Sequence, residues 1–263
     1  MFQTVFVGKI AGIKVYIHWT FWILAIFVLM SSIGRGLETA LTSLGFVFAV
    51  FGCVFLHEMG HAIAAKWYGT PTLDITLLPI GGVARIGQLP RSPIAELVVA
   101  IAGPAVNLAI AMLLLVIFPI QSTFQQVYET GIAKLGPPEQ LFVANMSLAI
   151  FNLLPTYPMD GGRVLRSVLN MFMPLSLATI YTARVGQIAA IAMFMASFYV
   201  GFGMALISIW VFVVCSGELL KERFAISARQ MQERSPFHPP TSDSVEDDGE
   251  AGVVDAVEVR RVR

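Results

Sequence analysis

Charge is what this chain has least of. Of its 263 residues, 13% are Asp, Glu, Lys or Arg, about half the ~25% usual for a soluble domain. Apolar residues make up 56%, and the mean hydropathy is +0.74. That balance argues against an ordinary soluble enzyme and against a disordered chain. The net charge is zero, from 17 basic and 17 acidic side chains, so there is no basic excess to hold nucleic acid. Cysteine is nearly absent. Cys53 and Cys215 both lie in apolar runs, which is no disulfide framework. Histidine is scarce as well, with four in the chain.

What the chain does have is long uncharged stretches. A bilayer core asks for about 20 mostly apolar residues per helix. Residues 15–34, 39–56, 97–118 and 140–159 meet or approach that length, and the second pattern runs on to Ala65. The 33 uncharged residues of 185–217 make room for two helices if the first starts near Ser176 and the break falls around Gly201 and Gly203. The expected fold is therefore an all-α polytopic membrane protein with six transmembrane helices. The first run is long and leads into further spans, unlike a cleavable signal. With six spans, ten Lys and Arg fall on one side, Lys66, Arg163 and Arg223 among them, against Arg35 and Lys134 on the other. The positive-inside rule then puts both termini in the cytoplasm. Residues 4–17 and 72–87 are rich in β-branched side chains and are broken by glycine and proline. They read as short β-strands at the cytoplasmic membrane surface, able to pair with each other. Residues 1–223 form the expected membrane-embedded domain. Residues 224–263 read as a polar, disordered cytoplasmic tail; the last thirty carry four basic and seven acidic residues.

Two of the four histidines stand in His57-Glu58-Met59-Gly60-His61. On a helix, positions four apart share a face, so two imidazoles can hold one metal while Glu58 serves as general base. This is the pattern of metal-assisted hydrolysis. Ionisable groups inside a span are costly and mark function. A catalytic zinc usually takes three protein ligands, so a third is owed from elsewhere. Asp160 is a candidate, in Asn152-Leu153-Leu154-Pro155-Thr156-Tyr157-Pro158-Met159-Asp160-Gly161-Gly162-Arg163. Its two prolines break a helix, and its two glycines permit a tight turn. Taken alone, a solvated helix-ending turn explains that segment equally well. Asn107, in Gly103-Pro104-Ala105-Val106-Asn107, reads first as a hydrogen bond to a neighbouring helix. Cys53 lies on the face of His57 and reads as a small apolar filler. His18, beside Trp19 and Trp22, reads as part of an interfacial aromatic belt.

The HEMGH and NLLPTYPMDGGR motifs together, in successive parts of the chain, resemble the site-2 protease family of intramembrane zinc metalloproteases. The resemblance covers about residues 1–220 and takes in Pro79-Ile80-Gly81-Gly82 and Gly103-Pro104-Ala105-Val106-Asn107. It implies one Zn²⁺ per chain held by His57, His61 and Asp160, with Glu58 activating water. It also implies that Asn152 positions substrate or stabilises the oxyanion. The implied reaction is regulated intramembrane proteolysis of a transmembrane protein in the lipid bilayer. Anti-sigma factors, membrane-anchored regulators and signal-peptide remnants are the classes of substrate the family cuts. The regulatory nucleotide-sensing and PDZ domains of many relatives are not expected within these residues, since the 119–140 loop and residues 221–263 are too short to hold them. Two other readings stay open. A metal-ion or proton-coupled transporter explains the histidines but gives Glu58 no task. A catalytically inactive relative that binds membrane segments is disfavoured by the intact His57, Glu58, His61 and Asp160.

Overall fold

The structure is a computed structural model, and it describes residues 4–79, 81–87, 92–118, 120, 131 and 135–234. Most of the 119–140 loop and the polar tail from residue 235 onward lie outside the described residues. The chain divides into two units, Met1–Arg223 and Phe224–Arg263.

A hairpin opens the first unit. Strands β1 (Thr4–Ile10) and β2 (Ile13–His18) pair antiparallel across Ala11 and Gly12. Both turn residues have positive φ, 52° and 91°, as a two-residue hairpin turn of matching twist requires. Helices α1 (Thr20–Ile33) and α2 (Leu37–Trp67) follow. Their crossover brings β3 (Thr72–Leu78) alongside β2 in parallel, and β4 (Gly81–Ile86) returns antiparallel to β3. The result is one four-stranded sheet in the order β1-β2-β3-β4, so the two strand-forming segments do pair. Asp74 and Arg85 face each other across β3 and β4. Arg85 Nε donates to Asp74 Oδ1 at 2.7 Å, and this carboxylate holds the guanidinium pKa above its ordinary value.

The helices continue with α3 (Pro93–Ile117), α4 (Pro137–Asn152), α5 (Asp160–Asn170), α6 (Leu175–Val200) and α7 (Phe202–Arg234). Ser92 caps α3, its side chain accepting from the Ala95 N–H, and Pro93 takes the first position, where no N–H is needed. Gly201, at φ 125°, divides the long uncharged run into α6 and α7. A side-chain-bearing residue adopts that backbone conformation only with strain.

Among the described residues, four helices are long and apolar enough to cross a membrane: α2, α3, α6 and the Phe202–Ala228 part of α7. The expected count was six. The 15–34 run divides into the end of β2 and a 14-residue α1, and a helix of that length spans only about 21 Å. The 140–159 run is helical only to Asn152, and α4, Pro137–Asn152, has 16 residues. An uncharged run does not distinguish a strand from a helix, and proline stops the second one early. Helix α7 also runs on to Arg234, so 224–234 is helical and not irregular tail.

Burial is inverted relative to a soluble domain. Large apolar side chains face outward: Val116 is 84% exposed and Phe198 73%. Alanines fill the interior, with Ala40, Ala65, Ala95, Ala100, Ala149, Ala178 and Ala183 fully buried. Close helix contact through small residues is how helices pack in lipid. The chain is an integral membrane protein. Two packing arrangements position the site. Ile13, Ile75 and Leu77 of the sheet pack on Val54, Met59 and Ala62 of α2. Tyr157 and Met159, between α4 and α5, pack on Ala183 and Ala190 of α6 and on Val211 and Cys215 of α7.

Candidate metal centre

His57 and His61 stand one turn apart on the buried face of α2. Helix α3 crosses directly behind them. A Cβ at Gly103 would fall on the His61 ring and only 2.7 Å from His57 Nε2. Gly60 gives the same clearance in the other direction, since a Cβ there would lie 2.8 Å from the Ala102 carbonyl oxygen. The two helices therefore meet backbone to backbone at the level of the motif. Asn107 lies one turn beyond Gly103, is fully buried, and reaches His57 Nδ1 with its Oδ1.

Asp160 arrives from the opposite side, at the first position of α5. The segment before it is irregular, with Pro155 and a cis Tyr157–Pro158 peptide. It is compact enough that a Cβ on Gly162 would approach the Thr156 carbonyl carbon to 2.7 Å. Thr156 is buried against Cys215 of α7, with Oγ1 and Sγ 3.3 Å apart. Arg166 of α5 pairs with Glu96 of α3, and its guanidinium carbon lies 5.9 Å from the centre of the Tyr157 ring. These contacts fix α5, and Asp160 with it, against α3.

His57 Nε2, His61 Nε2 and Asp160 Oδ2 converge at 3.1 Å, 3.1 Å and 3.2 Å from one another. Among the described residues these three form the group able to hold a metal ion. His61 Nδ1 faces the Val99 carbonyl oxygen at 2.6 Å, and a carbonyl only accepts, so Nδ1 carries the proton. Asn107 Nδ2 donates to Asn145 Oδ1 at 3.0 Å, which leaves Asn107 Oδ1 as an acceptor for the His57 Nδ1–H. In the neutral rings both Nε2 atoms then carry lone pairs facing a carboxylate oxygen, and a cation between these three acceptors would satisfy them all. Two imidazole nitrogens and one carboxylate oxygen suit zinc, and bonds of about 2.0 Å call for ligand separations near 3.3 Å. The donor set and its spacing fit zinc.

Glu58 is half-buried on α2 and is not one of the three converging residues. It faces β4: a Cβ on Gly82 would come within 2.5 Å of Glu58 Cγ and 3.1 Å of Oε1. The glycine pair following Pro79 thus leaves room for this carboxylate beside the sheet. Asn152 ends α4, half-buried, outside the converging trio. Cys53 accepts a hydrogen bond from Asn145 Nδ2 at 3.3 Å and is not a ligand. His18 turns toward Thr20 Oγ1, 2.6 Å away, at the corner between β2 and α1. Asn107 does bond a neighbouring helix, and the group it bonds is His57. Asn145 went unnoticed in the sequence, where its one signal is an amide inside an apolar helix.

The fold and site define a helical membrane protein with a His-His-Asp metal-binding cluster beside a separate carboxylate and a small sheet. The chain matches Peptidase family M50 over residues 45–135 and 126–196. It belongs to this family, the site-2 proteases. It is 34% identical to a zinc metalloprotease of Methanocaldococcus jannaschii over 185 residues, 70% of this chain and 51% of that one. Stage IV sporulation protein FB of Bacillus subtilis is 27% identical over 168 residues, 63% of this chain and 51% of that one. The chain spans about half the length of these relatives. The solved site-2 protease from Methanocaldococcus jannaschii superposes with a TM-score of 0.57 at 30% identity, covering 82% of this chain and 95% of that one.

Proposed function

We propose that this chain is an intramembrane zinc metalloendopeptidase that hydrolyses peptide bonds within or near transmembrane segments of other membrane proteins. The observation that carries the reading is the pairing of a three-acceptor cluster with a fourth ionisable group, Glu58, that takes no part in it. A metal store or a carrier needs the cluster; only hydrolysis gives the separate carboxylate a task. His57, His61 and Asp160 are the zinc ligands. Zinc, when bound, supplies Lewis acidity, drawing the pKa of water toward about 7 and polarising a carbonyl. Glu58 takes the proton of the attacking water and delivers it to the leaving amine. Asn152 is assigned to substrate positioning or to the charge that develops on the carbonyl oxygen.

A substrate helix hides its amides in its own hydrogen bonds and must unwind before water reaches one. Strand β4 is an end strand of the sheet and lies against Glu58, which supports recognition by strand addition: an unwound segment pairs with the sheet edge and presents its backbone to the carboxylate. The partner is accordingly a transmembrane protein in the same bilayer. Anti-sigma factors, membrane-anchored regulators and signal-peptide remnants are the substrate classes to try.

The proteolytic domain is residues 1–223, crossing the membrane six times with both termini cytoplasmic. Reporter fusions at residue 75 and after residue 225 are expected to read cytoplasmic, and one near residue 130 the opposite side. A C-terminal fusion on the far side overturns the six-span arrangement. The activity is tested with Glu58→Gln, reconstituted with a transmembrane substrate. The variant keeps its zinc and loses about 10²–10⁴-fold in cleavage rate. Undiminished cleavage removes Glu58 from the mechanism, and zinc flux across proteoliposomes by wild-type protein that cuts nothing replaces the protease with a carrier.

A further inference from the structure

Behind His57 a line of buried amides leads away from the metal centre. Asn107 and Asn145 are both fully buried, on α3 and α4. An asparagine amide has two faces of opposite sense, one accepting and one donating, so its orientation determines what its neighbour must be. If Asn107 presented its NH₂ to His57, Nδ1 would have to accept, the ring proton would move to Nε2, and His57 could not ligate. Something has to fix which way Asn107 points.

The line ends on a group that cannot reverse. Asn145 Nδ2 donates to the Leu141 carbonyl oxygen at 2.8 Å, and a backbone carbonyl only accepts. Asn145 must therefore present Oδ1 on its other side. Asn107 Nδ2 donates to that oxygen at 3.0 Å, so Asn107 must present its own Oδ1 to His57 Nδ1. The His57 Nδ1–H donates, which in the neutral ring leaves the Nε2 lone pair facing Asp160 and His61. Each step follows from the one before, starting at the peptide carbonyl of Leu141.

We propose that Asn145 is a positioning residue of the metal centre: the relay Leu141 carbonyl, Asn145, Asn107 presets the Nδ1–H tautomer of His57 before any metal arrives. The inference rests on His57 being a zinc ligand. Helix α4 contributes no ligand to the centre, yet through Asn145 it governs the readiness of one. A partner that orients a metal-bound histidine is commonly worth 10–100-fold in metal affinity.

Three full-length variants in detergent, compared with wild type, test it by competition for zinc against a chromophoric chelator. Asn145→Leu fills the space but ends the relay, and zinc affinity falls about 10–100-fold, while Asn145→Asp, whose protonated carboxyl donates to the Leu141 carbonyl and presents its other oxygen to Asn107, stays within about 3-fold of wild type. Rescue by Asn145→Asp is what a mere packing role does not produce. Equal losses in both variants, or no loss in Asn145→Leu, overturn the relay. His57→Ala is the reference: if it retains wild-type affinity, the metal-site reading fails and takes the relay with it. An independent measurement covers the case in which Asn145→Leu does not fold. The ¹⁵N spectrum of histidine-labelled, metal-stripped wild-type protein should show His57 as the Nδ1–H tautomer; an Nε2–H tautomer overturns the proposal whatever the variants do.

Discussion

The metal cradle and the sheet beside it are built on opposite terms. In the cradle, α2 and α3 touch backbone to backbone at Gly60 and Gly103, and the second nitrogen of each histidine is committed to an acceptor. Nothing there has room to move. The sheet is lined on one face by Ile75 and Leu77 against α2, while Val7, Leu73 and Val83 are more than half exposed, at 57%, 63% and 52%. Its outermost strand next to the site is β4, with two adjacent glycines. Chemistry that depends on sub-ångström placement is held in the tight region. On the proposed function, reception of a chain that must change shape falls to the open one. Glu58 stands on the border, anchored on the rigid helix and facing the sheet.

That contrast can be broken from either side. The largest effect is expected from Gly103→Ala, whose Cβ falls on both imidazoles. The histidines must separate, and zinc retained after dialysis should drop to the level of His57→Ala, with cleavage abolished. A variant that kept its zinc would mean α3 can retreat, and the cradle is less rigid than its packing implies. Next is Gly82→Val. The added carbon meets Glu58 Cγ at 2.5 Å, so the carboxylate is displaced while the ligands are untouched. Zinc content is expected to stay at wild type while the cleavage rate falls, by less than the 10²–10⁴-fold assigned to removing the base outright. Loss of zinc in this variant would join the two regions that the comparison keeps apart. Glu96→Gln comes third. It removes one charge of the Glu96–Arg166 pair that ties α5 to α3, and breaking a buried pair one-sidedly costs up to about 3–5 kcal/mol, less here because Arg166 is 27% exposed. The thermal midpoint should fall clearly, with zinc lost at lower temperature than in wild type. Smallest is Val7→Ser, on the exposed face of β1: stability should change by no more than about 0.5 kcal/mol, with zinc affinity unchanged.

How much of this is legible without coordinates follows the range of each interaction. His57, Glu58 and His61 are legible because the helical repeat alone puts them on one face. Asp160 is brought to them from 99 residues away by packing of the 153–159 segment on α6 and α7. Composition sees only a turn there, and its link to the histidines came through the resemblance to a family. Gly103 and Asn107 are visible as a motif, but the reason for it, a backbone pressed against two rings and an amide behind one, is a matter of contact. Asn145 belongs to no motif. The sequence offers uncharged runs for six spans where four described helices are long and apolar enough to cross, because such a run can hide a change of structure: Ile13–His18 is strand and Thr20–Ile33 helix, and hydropathy does not separate the two.

One dimension of α2 has a consequence for what is cut. Its 31 residues reach about 46 Å end to end, more than the ~30 Å of hydrocarbon it crosses. His57 lies ten positions before its last residue, Trp67, a depth of about 15 Å along the axis. An extended strand covers that distance in about five residues, whereas a helix needs ten. On the proposed proteolytic function, a substrate entering from the Trp67 end would have its scissile bond set by depth, counted from where it unwinds, and the helix would act as a ruler that reads length before side chains.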